Sequence, residues 1–373
     1  GCHLASMSKG GLRVLTVNLC LIAPGGNLRH QGPIYLSAFL FTTAIAAHIL
    51  SSSFDIPWKV AVFFGFATGA FLAPNAAQFI ACVLAVALPN LSQQYKKQRV
   101  EHWLSQLKGF DVICIQESTN LWFSAYYTQM LIDGASKQGF SHRAEAPSRP
   151  RFPATLANSG LLILSRYPVI STHTKFFRRQ AWYDLFAVNR GVMHAEIRVG
   201  QTKVNFFTTH LSPGLETCAH LLNIDVDHDS KWVDNRDAQH QAKEVQEYMR
   251  ERASDGFIVL AGDFNCRGGS SLYHMCCGLM GELELGVRDV TVREGSNGVL
   301  SWLPTFGCVH PDGTPTETLF TPPGEQGKPK TLDYIFSNLQ RIGEAETVSF
   351  SAKGMPFQQV SDHHGVLVSL LVP

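Results

Sequence analysis

The sequence predicts an α/β domain interrupted by a hydrophobic insert, and three observations predict it. The chain has 373 residues, more than the ~100–200 of an ordinary domain and about right for one large α/β core with an addition. Apolar, β-branched runs recur along it and alternate with helix-forming segments. One long stretch is almost empty of charge.

Leu12 to Cys20 is an apolar run that reads as a core strand delivering Asn18 near its end. From Gln31 to Tyr95, Asp55 and Lys59 are the only charged side chains. Within that stretch, Pro33 to Ser53 is uncharged, and Val60 to Pro89 follows, interrupted by Pro74-Asn75. A bilayer core needs ~20 apolar residues per helical crossing, so residues 33–89 read as a membrane-associated helical hairpin. Ser, Thr, Gly and Ala are plentiful there, as expected where helices pack closely in lipid. A buried hydrophobic helical pair packed on the domain is the alternative.

Asp111 to Glu117 resumes the strand pattern, and it should share one sheet with the first strand on one side of any membrane. The insert then crosses an even number of times, or enters and leaves as a re-entrant or interfacial hairpin. Arg29, Lys96, Lys97 and Arg99 flank it with positive charge, which places the flanks on the cytosolic face. The same charges could instead hold an anionic lipid surface. The organisation is therefore residues 8–30 as the first part of a catalytic domain, 31–95 as the insert and 96–373 as the remainder.

Arg99 to Leu107 has helical spacing. Strand-like runs recur at Gly160–Ser165, Val192–Val199, Lys203–Thr209, Phe257–Ala261, Thr331–Ser337 and Val366–Leu371. Asp234 to Arg252 is a polar helix with Val245, Tyr248 and Met249 as its buried positions and Asp237 capping its first turn. Residues 294–330, rich in Gly, Pro and Thr, read as a long functional loop region.

Lys+Arg 31 against Asp+Glu 30 gives a net charge of +1, so no global basic excess drives duplex binding and no nucleic-acid partner is expected. At 16% charged and 45% hydrophobic the chain is too apolar for disorder and points toward a membrane. Nine scattered cysteines without CxxC pairs read as free thiols, and Cys276-Cys277 and His310 lack zinc spacing.

Several strand ends finish in acidic, amide or imidazole side chains: Asn18, Glu117, His210, Asp263 with Asn265, Asp333, and Asp362 with His363. Each alone has a structural explanation, as a turn, a cap or a surface carboxylate. Together, carboxylates suit a hard divalent cation and paired imidazoles suit acid–base transfer at neutral pH. Thr16-Val-Asn18, Ile115-Gln-Glu117, Thr208-Thr-His210, Gly262-Asp-Phe-Asn265, Leu332-Asp-Tyr334 and Ser361-Asp-His363, in this order, resemble the endonuclease/exonuclease/phosphatase superfamily. The resemblance implies a DNase-I-like two-sheet sandwich flanked by helices, here with a hydrophobic helical hairpin inserted after the first strand.

Within that superfamily, Asn18-Leu-Cys-Leu21 and Asn158 to Pro168 are similar to neutral sphingomyelinases, which hydrolyse sphingomyelin to ceramide and phosphocholine. The resemblance implies a metal site of Glu117, Asn18 and Asp362 for Mg²⁺, with Mn²⁺ as a substitute. It makes His363 the base, oriented by Asp333, and gives Asp263 and Asn265 the nucleophile and phosphoryl oxygens. His210 would relieve the leaving alkoxide, and Asn158, Asp184 and Arg190 would contact substrate. Asp184 and Arg190 stand where these enzymes carry an Asp and a Lys in a switch loop, with Arg for Lys and one residue more between them. His364 is expected beside the base rather than in the ligand set, and Trp182, Tyr183, Trp232 and Trp302 are the aromatic faces available to a choline head.

The implied activity is a Mg²⁺-dependent phosphodiesterase of phospholipase C type acting on sphingomyelin or a related phosphosphingolipid, with its catalytic domain on the cytosolic face of a membrane. A phosphoinositide phosphatase and a nuclease of the same superfamily are the alternatives. Gly262-Asp-Phe-Asn-Cys-Arg267 partly fits the phosphatase pattern, but Leu260 stands where that family has Trp.

Overall fold

Alternation along the strands sets the architecture, because successive side chains point to opposite faces of a sheet. The computed structural model describes residues 11–19, 95–118, 126–147, 158–180, 188–213, 235–253, 256–294, 298–321 and 324–373. The described residues belong to one unit, residues 1–21 with 95–373; residues 22–94 make up a second, which lies outside them. The expected hairpin at 33–89 therefore lies outside the described residues, and among these no helix is long and apolar enough to cross a membrane.

In chain order the elements are β1 (Leu12–Asn18), α1 (Lys96–Leu104), β2 (Val112–Gln116), α2 (Tyr126–Lys137), β3 (His142–Glu145), β4 (Leu162–Ser165), β5 (Val169–Phe176), β6 (Gly191–Val199) and β7 (Thr202–His210). They continue with α3 (Arg236–Arg252), β8 (Phe257–Asp263), α4 (Ser271–Gly281), β9 (Arg288–Asp289), β10 (Arg293–Glu294), β11 (Leu300–Ser301), β12 (Asp333–Ser337), β13 (Gln340–Val348) and β14 (Gly365–Leu371). Two six-stranded mixed sheets result, ordered β13-β14-β1-β2-β4-β3 and β5-β6-β7-β8-β12-β9, with β10 and β11 pairing as a separate hairpin. Each large sheet has a parallel pair among its inner strands, β1 with β2 and β7 with β8.

The inward residues of both sheets form one core: Leu12, Val14, Val112, Cys114, Val366 and Val368 meet Val204, Phe206, Val259, Ala261 and Ile335. The outward residues of the first sheet, among them Leu15, Val17, Ile113 and Ile115, pack under Val100 and Trp103 of α1 and Leu131 and Ile132 of α2. On the second sheet Phe207, Ile258, Leu260, Tyr334 and Phe336 pack under Ala242, Val245, Tyr248 and Met249 of α3 and Leu272 and Cys276 of α4. This is the two-sheet sandwich with helices outside that the motifs implied.

Some expectations change. The helix expected at Arg99–Leu107 spans Lys96–Leu104, because the turn into β2 needs Gly109 at φ +86° and uses the residues after Leu104. Asn235, not Asp237, caps α3, its side chain accepting from the Ala238 N–H; Asp237 instead pairs with Arg179 at 2.7 Å. The sequence reading passed over β3, β5, β13, α2 and α4. The first three are polar edge strands without a buried period, and α4 contains glycine and cysteines but starts on the Ser270 hydroxyl cap. Cys114, Cys266, Cys276, Cys277 and Cys308 are free thiols, as expected.

Candidate active site

Along β1, β2, β7, β8 and β12 the inward face changes from apolar to polar toward one end of the sandwich. The first polar layer is Thr16, Gln116 and Thr208, all fully buried. Gln116 lies between the sheets, its amide N–H groups donating to Thr16 Oγ1 at 3.2 Å and Thr208 Oγ1 at 2.9 Å. One step further come Asn18, Glu117, His210, Asp263 and Asp333. Parallel register sets His210 beside Asp263, and antiparallel register sets Asp333 beside Asp263 from the other side. Strand pairing alone thus gathers His210, Asp263 and Asp333, up to 123 positions apart in the chain.

The contacts are direct. Asn18 Nδ2 donates to Glu117 Oε1 and to Asp263 Oδ2, each at 3.0 Å, joining the two sheets at the level of the site. His210 Nε2 lies 3.5 Å from Asp263 Oδ2 and 3.9 Å from Glu117 Oε1. His363 Nδ1 meets Asp333 Oδ2 at 2.7 Å, and its Nε2 lies 3.8 Å from Asp263 Oδ2. Asn265 gives Asp263 Oδ1 a backbone N–H bond at 2.8 Å and sends its own amide to Leu211 O at 2.8 Å. Glu117 and Asn265 are two of the four non-glycine residues with positive φ, at 59° and 47°, among the described residues. Backbone strain of this kind collects at functional sites.

Asp362 and His363 arrive on the turn before β14. Ser361 Oγ pins that turn by donating to Asn18 O at 2.5 Å and accepting the His363 N–H at 3.1 Å. Phe306 packs edge-on against the His363 ring at 5.2 Å, and His364 turns away, its Nε2 3.3 Å from Thr316 Oγ1. Burial pushes the His364 imidazole down to about 4, so it stays neutral.

Electrostatics divide the two site histidines. Burial, then the Arg190 guanidinium and His363, hold His210 well below the usual range, so it is neutral. Burial alone would lower His363 too, but Asp333, Asp263 and Asp362 surround it and hold it well above. Burial and the neighbouring Asp333 raise Asp263 to about 7, and burial with Asp362 raises Glu117. Arg190, 8% exposed, reaches the site's edge and donates to Leu211 O at 3.2 Å.

Asn158 is held in its turn: its Oδ1 accepts the Gly160 N–H at 3.0 Å and its Nδ2 donates to Ala146 O. Gly160 O in turn holds Ser118, so Asn158 shapes the turn behind Glu117. Asp184, Trp182, Tyr183 and Trp232 lie outside the described residues. Trp302 packs on Tyr273 at 5.4 Å and over Gly268 and Gly269. Sequence reasoning missed Gln116 and Thr305. Gln116 lay inside a quoted motif; Thr305, whose hydroxyl accepts the Leu332 and Asp333 N–H groups, carried no signal.

The donor set fits a hard divalent cation. Glu117, Asp263, Asp333 and Asp362 converge, and a buried Asp333 Oδ1 has no hydrogen-bond partner, a state that costs ~1–3 kcal/mol or more unless a ligand or water meets it. Asp263, Asp333 and His363 present atoms within 4.8 Å of one another. Asp333 Oδ2, however, is already spent on His363 Nδ1, which makes that pair a base and its orienter. Glu117, Asp362 and Asn18 are the residues that could hold a metal.

A two-sheet sandwich with clustered carboxylates and a carboxylate-oriented histidine at one end is the arrangement of a hydrolase. The model of the endonuclease/exonuclease/phosphatase family matches residues 83–363, and the chain belongs to that family. A sphingomyelinase of Dictyostelium discoideum is 26% identical over 360 aligned residues, covering 76% of each chain. Sphingomyelinase C from Streptomyces griseocarneus superposes with a TM-score of 0.53 at 16% identity, covering 96% of this chain and 99% of that one. A double mutant of beta toxin from Staphylococcus aureus with bound magnesium ions gives 0.50 at 18%, over 74% and 92%. D. rerio TDP2, complexed with a single-strand DNA product, gives 0.50 at 16%, over 76% and 95%.

Proposed function

We propose that this chain is a Mg²⁺-dependent phosphodiesterase that hydrolyses sphingomyelin, or a related phosphosphingolipid, to ceramide and phosphocholine at a membrane. The observation that carries the chemistry is the His363–Asp333 pair at 2.7 Å facing Asp263. The substrate is supported by the similarity to the Dictyostelium sphingomyelinase.

The 3.8 Å between His363 Nε2 and Asp263 Oδ2 spaces them around one water. Asp263 accepts one water proton as a hydrogen bond while His363 Nε2 takes the other, and Asp333 steadies the resulting imidazolium. The water oxygen bonds to phosphorus as the phosphorus–oxygen bond to ceramide breaks. Neutral His210 donates a hydrogen bond to the departing alkoxide, which takes its proton from solvent. Held by Glu117, Asp362 and Asn18, Mg²⁺ would neutralise phosphoryl charge and offset the carboxylates that hold the His363 proton. Arg190, whose charge acts on His210 and Glu117, would pair with a phosphoryl oxygen.

Residues 33–89 would bring the site to the bilayer, with the catalytic domain on the cytosolic face and anionic lipids as further partners. The test is head-group release in mixed micelles with Mg²⁺, Mn²⁺ or EDTA, run on sphingomyelin beside phosphatidylcholine, a phosphoinositide and plasmid DNA. Phosphocholine from sphingomyelin, lost with EDTA and in Glu117→Gln, is expected. Inorganic phosphate from the phosphoinositide, or nicked plasmid, with sphingomyelin untouched would replace the substrate.

A further inference from the structure

Arg99 is a fully buried cation, 1% exposed on the first turn of α1. A charge in such a place must be spent on polar partners. Its Nε donates to Val360 O at 2.5 Å and its Nη2 to Leu19 O at 2.8 Å, while the guanidinium lies 3.9 Å over the Phe320 ring. Leu19 follows Asn18, and Val360 stands two residues before Asp362 and three before His363. The same two segments are joined a second time where Ser361 Oγ donates to Asn18 O. Tyr95, one turn before Arg99, accepts its backbone N–H at 2.8 Å. The two segments carrying Asn18 and Asp362 therefore meet at one guanidinium.

We propose that Arg99 is a positioning residue for the metal site, setting the distance of Asn18 from Asp362. The planar fork matters: two carbonyls on different segments are held by two N–H groups in fixed relation, which a lysine ammonium does not reproduce. The inference rests on the metal-dependent reading above, and its test separates the two. Full-length wild type, Arg99→Lys and Arg99→Met are titrated with Mg²⁺ by calorimetry and by the Mg²⁺-induced shift in Tm, beside head-group release against Mg²⁺ concentration.

Groups that orient metal ligands are worth ~10–100-fold in affinity, so Arg99→Lys should fold and need about tenfold more Mg²⁺, with turnover returning at saturation. Equal Mg²⁺ affinity in Arg99→Lys and wild type, with activity lost only in proportion to unfolded protein, overturns the inference. Failure of both variants to fold overturns it too, assigning Arg99 to stability alone. If wild type itself binds no Mg²⁺, the metal-dependent function fails instead.

Discussion

Asp333 has no solvent exposure, and its carboxylate faces the His363 imidazole at 2.7 Å. A carboxylate so placed fixes the tautomer of His363 and raises its affinity for a proton, and the direction of the His363 shift follows from it. Asp333→Asn removes the charge and keeps the shape. Without that anion the imidazolium is less stable, so the His363 pKa falls and the acid limb of the pH–rate profile moves to lower pH. The maximum falls as well, by ~10²–10⁴-fold, because the oriented base is lost. A pH–rate series on both proteins checks this, and an unmoved acid limb would remove Asp333 from the base's control. Residue identity at Asn18, Glu117, His210, Asp263 and His363 was legible in the sequence because each sits in a short motif at a strand end. The structural work of Asn158 was not legible, since an amide before a strand reads the same whether it meets phosphate or Gly160.

Strand pairing is what turns those motifs into a site. β8 lies between β7 and β12, and at Gly262 the neighbouring strand comes so close that an added Cβ would stand 2.1 Å from Thr209 O. Gly262 precedes Asp263 and is paired with Thr209, which precedes His210. Gly262→Ala must push β7 and β8 apart at the level of the catalytic pair, at ~1–3 kcal/mol of overpacking. A lower Tm and a fall in turnover beyond the folded fraction are expected from thermal melts and assays on the same preparation; an unchanged Tm would show that the strands yield freely. The core strands were found within a residue or two from their apolar runs. Edge strands such as β13 were missed because half-solvated sheets carry no continuous apolar signal.

At the scale of the molecule, the chain combines a family fold with 57 residues, 33–89, of membrane-like composition. If that insert serves only to bring the site to lipid, deleting 33–89 spares Mg²⁺-dependent turnover of detergent-dispersed substrate and abolishes cosedimentation with liposomes. Retained cosedimentation, or loss of micellar turnover in a folded variant, would sink that division of labour. The sequence by itself determined the strand ends, the family and the residue types of the site, because apolar period and ordered motifs are local properties of the chain. Only the tertiary structure decided that His210, Asp263 and Asp333 stand in adjacent registers, that Gln116 and Asn18 bridge two sheets, and that Arg99 joins β1 to the turn before His363. Those are contacts between segments up to 343 residues apart. Their partners are fixed by strand order and sheet packing, which no local pattern encodes.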